Sequence, residues 1–105
     1  MTKKTKEEKD SDLIQAIIKG LILEGIQAFQ GKVFCNSIMA PLPKGYHVTL
    51  VEIKDRRVHF PACYHQGTLV VPWSGIAKTY SEKRVQLIIA ITKARYERMQ
   101  KAYQA

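Results

Sequence analysis

The sequence predicts an α+β protein of two layers, in which a four-stranded antiparallel meander is flanked by N- and C-terminal helices in the order α-β-β-β-β-α. Three observations support this fold class. Apolar residues recur at helical spacing over residues 11–29 and again in the C-terminal segment 79–105. Over residues 32–73 the period changes to two, which is typical of strands. The simplest packing places both helices on one face of the sheet.

The first helix is predicted from an apolar stripe with steps of one, three and four residues. We expect Asp10 or Ser11 to cap its start and Gly31 to end it in a left-handed conformation. Gly20 and Gly25 lie inside it and each costs about 1 kcal/mol relative to alanine, so we expect a close approach of another backbone there. The stripe comprises Leu13, Ile14, Ile17, Ile18, Leu21, Ile22, Ile26 and Phe29.

Four strands are predicted between the helices, over residues 32–39, 46–53, 57–60 and 68–73. Short turns rich in proline, glycine or charged residues separate them. The second strand alternates most strictly, which predicts two distinct faces. One face comprises Tyr46, Val48 and Leu50, and the other comprises His47, Thr49, Val51 and Ile53.

The C-terminal helix is predicted from a capping-box pair followed by a long apolar stripe. Thr79 and Glu82 have the T-x-x-E spacing of a capping box. The stripe then advances by alternating steps of four and three residues, which keeps it on one helix face. It comprises Val85, Ile89, Thr92, Tyr96, Met99 and Tyr103.

The length and composition fit one domain. A chain of 105 residues can bury a core of its own, and 46% hydrophobic with 25% charged residues is typical of globular proteins. Residues 1–10 have no apolar side chain after Met1, so we expect a disordered tail there and a single domain over residues 11–105. With two cysteines, no secretory signal and no apolar run long enough for a bilayer, we expect a cytoplasmic protein.

His59, Cys63 and His65 lie within seven positions, which raises a metal site or a Cys–His nucleophile as hypotheses. The H-x₃-C-x-H spacing supplies only three ligands, with His47 or Cys35 as a distant fourth, and matches no familiar zinc pattern. No carboxylate lies between residues 56 and 81 to orient a histidine for catalysis. We therefore predict no metal site, no catalytic residue and no cofactor, with Cys63 as a small buried side chain.

The net charge of +8 is concentrated in the second half of the chain. Residues 44–80 hold five basic and two acidic side chains, and residues 81–105 hold six basic and two acidic ones. Such an excess favours polyanionic partners, either nucleic acid or an acidic protein surface, although solubility alone also explains it.

Two groups of basic residues are candidates for partner contacts. The first lies at the predicted hairpin and comprises Lys54, Arg56 and Arg57, with Tyr46 and Tyr64 expected nearby and Trp73 at the end of the last predicted strand. Basic residues beside aromatic rings can hold single strands by phosphate contact and stacking. The second is a strip of the C-terminal helix that comprises Arg84, Leu87, Ile91, Arg95 and Arg98. This strip can close against the first helix, pair with its copy in a homodimer or dock a partner.

These features predict a small basic cytoplasmic regulator that binds nucleic acid through its arginine and lysine surface, with Lys44 in support, and that is not an enzyme. The alternative is a protein–protein interaction module that uses the C-terminal helix, either as a homodimer or as an inhibitor of an acidic partner. No P-loop, dinucleotide or nucleophile motif is present, and we expect neither a small-molecule substrate nor a membrane partner.

Overall fold

The computed structural model describes residues 5–31, 36–54, 57–75 and 84–104. Within these ranges the chain forms two helices and seven short strands, and every strand pairing is antiparallel. The helices are α1 (Lys6–Leu23) and α2 (Val85–Gln104). The strands are β1 (Phe29–Gln30), β2 (Ser37–Pro41), β3 (His47–Lys54), β4 (Arg57–Phe60), β5 (Cys63–His65), β6 (Thr68–Val71) and β7 (Ser74–Gly75).

The α+β class with flanking helices is confirmed, but the prediction of one four-stranded meander is wrong. A five-stranded sheet has the order β1-β2-β3-β4-β7, and β5 and β6 form a separate two-stranded sheet. The β5–β6 hairpin therefore leaves the main sheet after β4, and the chain returns to it at β7. Neither helix, within the described ranges, is long and apolar enough to cross a membrane.

Helix α1 begins at Lys6 rather than at Ser11, inside the segment predicted as a tail. Thr5 is the N-cap, and its hydroxyl oxygen accepts a hydrogen bond from the backbone N–H of Glu8 at 3.1 Å. The same hydroxyl lies 3.2 Å from the Glu8 carboxylate. This capping satisfies a backbone donor that would otherwise be unpaired in the first turn.

Helix α1 ends at Leu23 in a Schellman motif, so the predicted end at Gly31 is wrong. The backbone N–H of Gly25 donates to the carbonyl of Ile22, and that of Ile26 donates to the carbonyl of Leu21, both at 3.0 Å. Gly25 has a φ of 86°, a left-handed conformation that glycine adopts without a steric penalty. Ile26 and Leu21 are both buried in the core, which supplies the apolar contact of this motif.

Gly25→Ala is expected to lower the free energy of unfolding by about 1 kcal/mol, because only the left-handed backbone penalises the added methyl group. A Cβ at this position would meet nothing within 4 Å, so no clash contributes. Thermal unfolding measures the loss, and Gly25→Asn should lose less because asparagine tolerates this conformation. An alanine variant as stable as the parent would contradict the Schellman assignment.

Strand β3 contains a bulge that changes which side chains face the core. Ile38 pairs with Val51 and the next residue, Met39, pairs with Thr49, so Leu50 has no partner in β2. An extra residue of this kind reverses the alternation beyond it. Leu50 and Val51 are consequently both buried, and the predicted division of this strand into two faces is wrong after Leu50.

The core lies where the two helices pack on the inner face of the five-stranded sheet. The predicted stripe of α2 is confirmed, with Ile89, Thr92, Tyr96 and Met99 buried and its two end residues partly buried. The capping box predicted at Thr79 lies outside the described residues. The sheet contributes Ile38, Ala40, Val48, Leu50, Val51, Ile53, Val58 and Phe60, and α1 contributes Leu13, Ile14, Ile17, Ile18 and Leu21.

Candidate functional site

The β5–β6 hairpin is fastened to α2 by hydrogen bonds from side chains of that helix to backbone carbonyls. Arg95 donates through Nη1 to the carbonyl of Pro72 at 2.8 Å and through Nη2 to the carbonyl of Pro61, so one guanidinium bonds to both ends of the hairpin. Arg98 donates to the carbonyl of Val70 at 2.9 Å. These bonds fix the hairpin, and with it the residues of its turn, relative to α2.

A cavity of about 320 Å³ opens where the hairpin turn meets the end of α2 and the turn before β3. We call it the turn pocket; its lining residues are Lys44, Tyr46, His65, Gln66 and Tyr103. The ring centroids of Tyr46 and Tyr103 are 5.1 Å apart, and those of His65 and Tyr103 are 4.3 Å apart. Among the described residues, no acidic side chain lines this cavity.

Tyr103 holds the turn pocket together. Its hydroxyl donates to the backbone carbonyl of Tyr64 at 3.3 Å, and its ring contacts rings from both neighbouring turns. Tyr46 remains 54% exposed despite this contact, so much of its ring surface is open to solvent. The pocket therefore combines accessible aromatic surface with the ammonium group of Lys44, a pairing that suits a flat anionic ligand.

A second exposed group lies on β4 and β7, on the outer face of the main sheet. Arg57 is exposed, and the ring of His59 lies 5.9 Å from that of Trp73 at an angle of 34°. Trp73 is 62% exposed. Glu52 pairs with His59 across the strands and places a carboxylate on the same face. This group is thus aromatic and basic like the turn pocket, but it is flat and includes an acid.

The trio His59, Cys63 and His65 does not converge. His59 contacts Trp73, His65 contacts Tyr103, and the Cys63 thiol lies near the carbonyls of Pro61 and Thr49. Among the described residues, no group of three or more histidine, cysteine or acidic side chains could hold a metal ion. Cys63 and His65 lie in strand β5, not in the loop that the sequence predicted.

Cys63 is buried, as predicted, and lines a second cavity of about 240 Å³ together with His47, Met99 and Tyr103. Burial raises the pKa of its thiol, an effect that the Arg95 guanidinium partly opposes. A thiol of this kind stays protonated at neutral pH and is a poor nucleophile. Cys35, the distant ligand considered above, lies outside the described residues.

The structure separates the residues of the predicted helix strip. Leu87 and Arg98 are exposed, Arg84 is half-buried, and Ile91 is half-buried against the core. Arg95 is only 8% exposed, lies with its guanidinium carbon 5.5 Å from the centre of the Phe60 ring, and uses both terminal nitrogens in hydrogen bonds to the backbone. Burial also lowers the pKa of Arg95, and nearby Arg98 adds to this effect.

The basic group predicted at the turn between β3 and β4, which comprises Lys54, Arg56 and Arg57, is brought together only in part. Lys54 pairs with Arg57 across the strands, whereas Arg56 lies outside the described residues. Trp73 contacts His59, which lies two residues after Arg57 on β4. Tyr46 does not lie near this group, because it precedes β3 while Lys54 ends it, and eight residues of strand span about 26 Å.

Sequence reasoning missed the contributions of His65, Gln66 and Tyr103 to a common pocket. One signal was present, since Lys44-Gly45 and Gln66-Gly67 each place a glycine at the second position of a tight turn. The meeting of these turns at Tyr103 is a tertiary contact that no local pattern reveals. No protein-family model matches the chain, and no curated protein or solved structure shows significant similarity to it.

Proposed function

We propose that this chain is a non-catalytic regulator that binds single-stranded nucleic acid, with the turn pocket as its principal contact. The observation that supports this proposal is that Lys44 and the rings of Tyr46, His65 and Tyr103 line one open cavity. Proteins that bind single strands combine stacking on aromatic rings with a positive surface along the backbone. A duplex would bury its bases and could not use this pocket.

Electrostatics supports the proposal. The net charge of +8 attracts a polyanion from a distance, and the exposed Arg57 and Arg98 add cationic surface outside the pocket. Arg84 is half-buried and joins them as a weaker candidate. We leave Arg95 out of the proposed surface, because its terminal nitrogens are bonded to the backbone inside the protein.

Fluorescence anisotropy with labelled single-stranded RNA and DNA of mixed sequence tests this proposal. Binding is expected at low salt, to weaken as salt rises, and to exceed binding to a duplex of the same sequence. Tyr46→Ala should weaken binding about tenfold, since loss of one stacking contact costs about 1–3 kcal/mol. Lys44→Asn should lower the salt-dependence slope by about 0.7, the contribution of one phosphate contact on a single strand.

Lys19→Gln is the matched control, because it also removes one positive charge from an exposed position, on α1. It is expected to change affinity less than Lys44→Asn does. Two results would overturn the proposal: an absence of binding at low salt, or binding that neither pocket variant changes more than the control.

The protein-interaction module remains the second candidate, and one observation favours it. Leu87 is 53% exposed on the outer face of α2, and Arg98 is exposed on the same helix. Arginine is enriched in binding hot spots, and exposed apolar surface can mark a site of protein contact. The oligonucleotide titration separates the two candidates, because a module for protein partners alone shows only charge-driven binding that Tyr46→Ala leaves unchanged.

A further inference from the structure

Among the described residues that line the turn pocket, the two flexible polar side chains both belong to left-handed turns. Lys44 and Gly45 have φ values of 65° and 82°, and Gln66 and Gly67 have values of 51° and 80°. Positive φ at both central residues is the signature of a type I′ turn, and the second turn closes the β5–β6 hairpin directly. Asparagine, aspartate or glycine is preferred at the first position, so Lys44 and Gln66 both carry backbone strain.

Strained residues concentrate at functional sites. Here the two strained side chains line the same cavity, which also has rings on its walls. The Tyr46 and His65 rings meet the Tyr103 ring at 60° and 61° rather than in parallel, so the three rings do not form a closed stack. A volume of about 320 Å³ lies at the lower end of ligand pockets, which suits one nucleotide rather than a larger group.

The polar side chains of the pocket favour adenine, through the pairing that proteins commonly use for this base. The Gln66 amide has one donor and one acceptor side, which matches the N6 and N7 positions of adenine in a bidentate pair. No carboxylate lines the cavity, among the described residues, to accept from the amino group of cytosine. The ammonium of Lys44 is a point charge suited to phosphate, although it could also donate to guanine.

We propose that the turn pocket holds one unstacked adenine base, with the ring lying against Tyr46, the amide of Gln66 paired to its N6 and N7 edge, and Lys44 on the adjoining phosphate. This inference rests on the proposed function and adds to it a base preference. Gln66 is the residue that determines the preference, while Lys44 and Tyr46 contribute affinity for any sequence.

The test uses four labelled uridine tracts of equal length that differ only in one central nucleotide, adenine, guanine, cytosine or uracil. Their charges are equal, so differences in anisotropy titrations report base recognition alone. The adenine oligonucleotide is expected to bind about tenfold more tightly than the uracil one, the discrimination of one bidentate contact. Gln66→Gly should abolish this difference by lowering affinity for the adenine oligonucleotide to that for the uracil one.

Gln66→Gly also separates recognition from folding. Glycine suits a φ of 51°, so this variant should unfold at a temperature no lower than that of the parent while it loses the adenine preference. Equal affinities for all four oligonucleotides, unchanged in Gln66→Gly, would overturn the adenine assignment and leave the proposed function standing. A guanine preference that depends on Lys44 would also overturn it, and failure of all four to bind would overturn both proposals.

Discussion

Replacing Arg95 by alanine is expected to lower the free energy of unfolding by about 4 kcal/mol. Its guanidinium donates to the carbonyls of Pro61 and Pro72, and each hydrogen bond from a charged donor contributes about 1.5–3 kcal/mol. The side chain also packs over the ring of Phe60. Truncation would leave two carbonyls without their donor and open a void beside the core.

Chemical denaturation of matched variants measures this effect. Arg95→Lys keeps the charge but not the planar fork that spans two carbonyls, so we expect it to recover less than half of the loss. Arg98→Ala removes a single bond at an exposed position and should cost about 1 kcal/mol or less. If Arg95→Ala is no more destabilising than Arg98→Ala, the guanidinium does not fasten the hairpin.

The same contact explains why sequence reasoning placed Arg95 on a partner surface. Helical angles assign each residue to a direction, but they do not reveal which neighbouring element covers that direction. The β5–β6 hairpin packs on this flank of α2, and its position depends on tertiary contacts distant in sequence. An arginine at the border of an apolar stripe is therefore ambiguous until that element is placed.

The helices were predictable as elements, although the ends of α1 were not. Apolar periodicity begins at Leu13, so it gave no indication of the polar first turns of α1. The signal that sequence reasoning missed was the T-x-x-E pair of Thr5 and Glu8, which marks the start of the helix. At the other end, Ile26 fits the helical stripe by spacing. It is buried because the Schellman motif turns it back onto Leu21.

The strands were harder to predict because a bulge and a change of sheet alter their pairing. In β3 the apolar residues Leu50 and Val51 are adjacent, a break in the polar–apolar alternation that sequence reasoning overlooked, and Leu50 is unpaired. The segment around Cys63 reads as a loop after Pro61, and it becomes a strand only by pairing with β6. The pocket shares this limit. Lys44 and Tyr46 were candidates for partner contacts, but Tyr103 was assigned to the core stripe, because only the fold brings these residues together.

Replacing Gly20 by valine is expected to destabilise the protein by about 3 kcal/mol through overpacking between the helices. The predicted approach of another backbone is wrong: the close neighbour of Gly20 is a side chain, since a Cβ there would lie 2.2 Å from Cδ1 and 3.1 Å from Cγ1 of Ile89, and a Cβ at Gly25 would have no neighbour within 4 Å. Carbon atoms pack favourably at about 3.5–4.0 Å, so Ile89 would have to move. It is only 5% exposed and belongs to the core, where close packing makes displacement costly.

Ile89→Ala removes both of the crowded atoms, Cδ1 and Cγ1. Combined with Gly20→Val in one chain, it tests whether this contact causes the destabilisation. Alone, Ile89→Ala should lower the free energy of unfolding by about 2–5 kcal/mol, because it leaves a cavity. In the double variant, the side chain added at position 20 fills part of that cavity. We therefore expect a coupling energy of about 2 kcal/mol in a double-mutant cycle followed by chemical denaturation. Gly25→Val is the control partner, because a side chain there meets nothing within 4 Å. Its cycle with Ile89→Ala should be additive, and additivity of the Gly20 cycle as well would mean that α1 and α2 do not meet at this glycine.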